Sequence, residues 1–213
     1  MIYNEQIAYK TAAHLLQINA INLETKNPFK WASGWKSPIY CDNRLALSYP
    51  EVRDFLTDIL AEQVKSLYGT EVTIAGVATG AIGIGALVAQ KLNLPFVYVR
   101  PQAKKHGRQN QIEGFIQEGQ AVVVIEDLIS TGMSSLNAVA AIKAEGIEVL
   151  GMIALFSYGF SVAKNNFEKA GVQLHTLSDY DHLIEFARNN KTIEKSQQET
   201  LVNWRKDPSN WSP

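Results

Sequence analysis

The chain has 213 residues, 46% hydrophobic and 19% charged, enough apolar content for a substantial core and unlike a disordered segment. A formal net charge of −1 offers no global field to attract nucleic acid or an acidic membrane, and no apolar run approaches the roughly 18 residues of a membrane span. One cysteine, Cys41, excludes an internal disulfide and reads as a small buried apolar residue; no Cys/His cluster has zinc-ligand spacing.

The start, MIYNEQIAYK, has neither the basic nor the apolar region of a signal peptide, so a cytoplasmic location is expected. Helical spacing of Ile7, Ala8, Thr11, Ala12, Leu15 and Leu16 predicts a first helix over Ile7 to Ile18. The segment FKWASGWKSPIY has Gly, Pro and aromatic residues that predict an irregular piece or short hairpin, and a second helix begins with Pro50 in its first turn and runs to about Leu67. Strands are predicted at Val72–Val77, Phe96–Arg100, Ala121–Ile125, Val149–Phe156 and Val172–Thr176, with helices at Ala81–Lys91, Ser134–Glu145 and Ser161–Ala170. This alternation builds an α/β fold with a central parallel sheet flanked by helices. Between Arg100 and Ala121 the linker has Gly107, Gly114 and Gly119 and no helical periodicity, which predicts a long flap or loose hairpin. Ser178–Arg188, beginning Ser-Asp, and Thr192–Arg205 read as two capped amphipathic helices. No linker or repeat divides the chain, so one domain over 1–213 is expected.

Val122 to Ser135, VVVIEDLISTGMSS, carries the chemistry. Its β-branched run suits a strand covered on both faces, and Glu126 and Asp127 follow where open α/β sheets bind ligands. As acceptors, two carboxylates suit vicinal hydroxyls or a hydrated cation. Ser130, Thr131, Gly132, Met133 and Ser134 then open a helix whose first amides and dipole suit a phosphate, so a ribose 5-phosphate satisfies both halves. An ordinary capped turn beside a solvated acidic pair satisfies the same residues. A second strand-to-helix turn, Gly76 to Gly83, matches neither the dinucleotide fingerprint nor a P-loop, and close strand-to-helix packing is its alternative. Between Val72 and Ile112 there is no Asp or Glu, while Lys91, Arg100, Lys104, Lys105 and Arg108 fall in that window, a locally anion-facing stretch or a basic solvated loop.

The run VVVIEDLISTG resembles the phosphoribosyl-pyrophosphate motif of the type I phosphoribosyltransferases, in which two acids flanked by hydrophobic residues precede a Thr/Ser-Gly turn. FKWASGWKSPIYCDNR and RPQAKKHGRQNQIEG are similar to the amino-terminal segment and mobile loop of that family's orotate-using members, and with SDYDHLIEFA and NWRKDP the resemblance spans nearly the whole chain. It implies a type I phosphoribosyltransferase fold with an amino-terminal hood (1–45) and a mobile catalytic flap (101–120). The implied reaction is attack of orotate on phosphoribosyl pyrophosphate, giving orotidine 5′-monophosphate and pyrophosphate. Lys104, Glu126 and Asp127 are the implied catalytic residues. Arg100, Lys104 and His106 take the pyrophosphate, Glu126 and Asp127 the ribose hydroxyls, and Leu128, Ile129, Ser130, Thr131, Gly132, Met133 and Ser134 the 5′-phosphate. Ser130, Lys36 and Tyr40 are the implied orotate contacts, with Trp31, Trp35 and Tyr40 equally readable as core or interface aromatics. Magnesium (Mg2+) is implied as cofactor, held through substrate and water without direct side-chain ligation. A homodimer sharing its flaps is implied, with no nucleic-acid or membrane partner. The chain departs from the commonest pattern at Ala32, Gly80 and Pro101, where Lys is frequent, and at Ser157-Tyr158, where an Asp-Arg pair often reads the base. A sibling enzyme for another base, or a regulator that binds the donor without turnover, are the rival readings.

Overall fold

Asn4 opens the first helix: its side-chain oxygen accepts from the Ile7 amide at 3.1 Å, satisfying one of the donors that a helix start leaves unpaired. The computed structural model describes residues 2–31, 33–102, 111–117 and 119–212. After α1 (Glu5–Gln17) come four short strands, β1 (Ile21–Leu23), β2 (Phe29–Lys30), β3 (Lys36–Ser37) and β4 (Ile39–Cys41). They nest as two antiparallel pairs, β1 with β4 and β2 with β3, which is the short hairpin expected of this Gly, Pro and aromatic stretch. A 3-10 helix (Asn43–Ser48) leads into α2 (Pro50–Tyr68), with Pro50 in its first turn as predicted.

The centre of the molecule is a six-stranded sheet. It is built from β5 (Val72–Val77), β6 (Phe96–Val99), β7 (Ile112–Glu113), β8 (Ala121–Ile129), β9 (Val149–Ser157) and β10 (Leu174–Asp179), in the order β10-β9-β8-β5-β6-β7. All neighbours pair in parallel except the edge strand β7, which runs antiparallel to β6. Helices α3 (Ile82–Leu92), α4 (Met133–Ala144) and α5 (Ser161–Ala170) make the crossovers, and α6 (Tyr180–Asn189) and α7 (Lys195–Lys206) come after the last strand. β6 and β7 are the two arms at the base of the predicted flap; residues 103–110, which carry Lys104, Lys105, His106 and Arg108, lie outside the described residues.

Alternation along β8 feeds two cores. Val122 and Val124 join Ala138, Val139 and Ile142 of α4 and Phe167 of α5, while Val123 and Ile125 join Leu15, Leu56, Leu60 and Ile84 of α1, α2 and α3. All four strand residues are fully buried, each contributing about 1.5–3 kcal/mol of burial.

Of the element boundaries that differ from the sequence reading, two have a visible partner behind them. The strand predicted to stop at Ile125 continues to Ile129, because the β9 ladder extends past the acids through Leu128↔Phe156 and Ile129↔Ser157. At the other end, Ser178 belongs to β10, where its hydroxyl donates to the Ala8 carbonyl at 2.9 Å, and Asp179 alone caps α6 by accepting from the His182 amide.

The strand order reverses at one place. β5 and β8 lie side by side although β6 and β7 come between them in the chain, so the sheet grows in opposite directions from this pair. The helices that come after them, α3 and α4, pack on opposite faces. Such a reversal opens a crevice beyond the carboxyl ends of the two strands.

Candidate active site

That crevice is present as a cavity of about 430 Å³. Its walls are the turn Val77–Gly80 after β5, Glu126 to Leu128 at the end of β8, Ser130, Thr131, Gly132 and Ser134 before and in the first turn of α4, and Cys41, Asp42 and Arg44 from the amino-terminal segment.

Consecutive strand positions send the two acids to different neighbours. Glu126 is buried; its Oε2 accepts from the Ser135 hydroxyl at 2.7 Å and its Oε1 from the Asp127 amide at 3.0 Å. Burial pushes its carboxyl well above the usual range, the Asp127 charge adds to that, and the Ser135 hydrogen bond opposes it. Asp127 is partly exposed to the cleft, and its carboxylate fills the space that a side chain at Gly80 would need.

The phosphate-type turn has free donors by construction. Gly132 precedes α4 with φ of 80°, a left-handed value, and no side chain caps the helix start. A Cβ there would meet Phe167 at 2.7 Å, so glycine is required twice over. Asn166 of α5 braces the turn by donating to the Thr131 carbonyl at 3.0 Å.

A third wall comes from far away in the chain. Asn43, almost fully buried, donates to the Asp127 carbonyl at 2.7 Å and accepts from the Cys41 thiol at 3.1 Å. Cys41 is half-buried at the cleft, where burial and the nearby Asp127 and Asp42 charges push its thiol pKa up, so it stays protonated. Arg44 forks onto Asp42, with Nε 2.6 Å from Oδ1 and Nη2 2.8 Å from Oδ2.

The structure therefore brings Glu126, Asp127, Leu128, Ser130, Thr131, Gly132 and Ser134 to one cleft. Other residues singled out in the sequence lie elsewhere. Ile129 is fully buried and its carbonyl accepts from the Tyr158 amide; Met133 is exposed at the head of α4. Arg100 comes after β6 and pairs with Glu113 at 3.4 Å, outside the cleft walls. Lys36 lies on β3 and Tyr40 on β4, just before the wall residue Cys41, and neither lines the cleft. Lys104 and His106 fall outside the described residues. Trp31 is a packing residue: its ring lies 5.0 Å from Tyr158 and 5.6 Å from Trp204, and its indole N–H donates to the Ile39 carbonyl. Tyr158, in the stretch where a base-reading pair is frequent, is buried in the same aromatic cluster. Asn43, Arg44 and Ser135 were missed in the sequence. The polar triplet Asp42-Asn43-Arg44 was the available signal for the first two, whereas Ser135 had no local signal, since it meets Glu126, nine positions earlier, only through the fold.

The phosphoribosyl transferase domain family matches residues 47–180, which includes both turns of the cleft. An orotate phosphoribosyltransferase of Cytophaga hutchinsonii is 52% identical over 211 residues, covering 99% of each chain, and that of Porphyromonas gingivalis is 54% identical over 200 residues, covering 94% of this chain and 95% of its own. The chain belongs to the orotate phosphoribosyltransferase family. The orotate phosphoribosyltransferase of Aeropyrum pernix superposes with a TM-score of 0.74 at 27% identity, over 86% of this chain and 99% of that one. The six-stranded sheet, the crevice at its reversal and the helices on both faces are thus the fold of this phosphoribosyltransferase family. Among the described residues no three His, Cys, Asp or Glu side chains converge as metal ligands, and no helix is long and apolar enough to cross a membrane.

Proposed function

We propose that this orotate phosphoribosyltransferase joins a ring nitrogen of orotate to the anomeric carbon of phosphoribosyl pyrophosphate, breaking the bond to pyrophosphate, in pyrimidine nucleotide synthesis. The observation that carries the reading is the shared cleft: a carboxylate pair for a diol and an uncapped helix start for a phosphate open onto one cavity of about 430 Å³.

Each wall has a task. Amides from Leu128 to Ser134 hold the 5′-phosphate, Ser130 reaches toward the base, and Asp127 and Glu126 accept from the ribose hydroxyls. Their negative charge also favours the oxocarbenium-like transition state. Magnesium, held through substrate and water, would supply charge neutralisation at the leaving group. Asp127, partly exposed and facing the cleft, is suited to lie beside it. Arg100, Lys104 and His106 meet the pyrophosphate when the segment 101–120 closes as a lid, which excludes water as a competing nucleophile. Lys36 and Tyr40 border the orotate side, within an amino-terminal hood of residues 1–45. The working form is a cytoplasmic homodimer in which the lid of one subunit acts in the other's cleft.

Loss of orotate ultraviolet absorbance on mixing protein, donor and magnesium tests the activity, with adenine, hypoxanthine and uracil run in parallel. Turnover of another base and not orotate would overturn it. Lys104→Ala is expected to lose on the order of 10²- to 10³-fold in kcat, the effect of deleting one positioned donor; unchanged turnover would remove the lid from the mechanism.

A further inference from the structure

Among the described residues that wall the cleft, Arg44 is the one with a fixed positive charge, facing a group that includes Asp42, Glu126 and Asp127. The turn after β5 contributes none, since Gly80 has no side chain. A donor with a pyrophosphate at one end and a phosphate at the other therefore meets three carboxylates, one of them already paired, and, on the described surface, a single guanidinium.

The geometry of that guanidinium is specific. A guanidinium has two edges able to bind a pair of oxygens, one made by Nε and Nη2 and the other by Nη1 and Nη2. Asp42 occupies the first, at 2.6 and 2.8 Å. The second has no partner among the described residues. The Arg44 side chain is 57% exposed and that of Asp42 23%, and so open an ion pair adds little to stability. What the fork does achieve is orientation: a long side chain is fixed before ligand arrives, which lowers the ordering cost of binding.

We infer that Arg44 is a substrate-contacting residue whose free edge binds the pyrophosphate of the donor, with Asp42 as its positioning residue. The acceptor's carboxylate presents the same pair of oxygens. Pyrophosphate is the assigned ligand because it brings the larger negative charge into a cleft that already holds Glu126 and Asp127, and so has the greater need of a cation.

The inference rests on the reading that this cleft takes the donor, and the test separates the two. Arg44→Gln is titrated calorimetrically with magnesium pyrophosphate and with orotate, and its KM for each substrate is measured. Pyrophosphate affinity is expected to weaken about tenfold or more, with KM for the donor rising in step, while orotate binding stays within about twofold. Asp42→Asn, which keeps the guanidinium and removes its orientation, is expected to weaken pyrophosphate about threefold. Unchanged pyrophosphate binding in Arg44→Gln, or a loss confined to orotate, would overturn the assignment. Asp127→Asn titrated with phosphoribosyl pyrophosphate tests the cleft itself: weakened donor binding there beside an unaffected Arg44→Gln sinks only the role of Arg44, whereas no effect in either sinks both readings.

Discussion

A methyl group at position 80 would overlap the Asp127 carboxylate, so glycine there is a demand of the site and not of the fold. The sequence marked Gly80 as a departure because Lys is frequent at this place in the family; Asp127 occupies the volume such a stem would enter. Gly80→Ala displaces only the end of a flexible side chain, so its thermal unfolding should match that of the unsubstituted protein while kcat/KM for the donor falls about tenfold or more, as for a misplaced reacting group. Equal kcat/KM would mean that the position of Asp127 is immaterial. The buried Glu126 gives a pH signature. Its folded pKa is raised above the unfolded one, so the folded state holds this proton more tightly, and its contribution is full below the ordinary carboxylate range and lost as pH rises through the raised value. Glu126→Gln should gain Tm over the parent at about pH 8 relative to about pH 5, and parallel Tm profiles would show that the carboxyl is not strained by burial.

Secondary-structure elements were legible in the sequence where periodicity was strong and poorly so where a partner decided the boundary. The run Val122 to Ile125 announced a strand buried on both faces, and the structure shows one. Its extension through Glu126 and Asp127 depended on β9 continuing beside it, a non-local fact that no local propensity encodes. The cleft was legible in the same graded way. Glu126, Asp127 and the Ser130 turn are contiguous and form a pattern, whereas Asn43 reaches Asp127 across 84 positions of sequence and Ser135 becomes a partner of Glu126 only once α4 folds back along β8. Ser135 lends itself to an element-level test. Its hydroxyl favours the ionised Glu126, so Ser135→Ala raises that pKa further. The acidic limb of the kcat/KM profile should move to higher pH, with a stability loss of about 1–3 kcal/mol in denaturant titration for the unsatisfied buried acceptor. An unmoved limb would separate Ser135 from the chemistry.

For the whole molecule, the proposed exchange of lids makes a numerical prediction. Lys104→Ala removes a lid and Asp127→Asn a cleft, so mixing the two inactive proteins yields mixed dimers with one intact pair of parts. Random reassociation should recover about a quarter of full activity; no recovery would place each lid in its own subunit. The reversal between β5 and β8 has a separate consequence. The Val77–Gly80 turn leads to a helix on one side of the sheet and the Ser130 turn to a helix on the other, so anything gripped at both turns ties together two halves of the protein joined there by a single strand ladder. With the donor bound in this cleft as proposed, its two phosphoryl ends give it a handle for each half, whereas each product keeps just one, which would make the donor a rivet and the products loose pins. Heat should register the difference, with the intact donor delaying unfolding further than pyrophosphate or nucleotide at equal saturation.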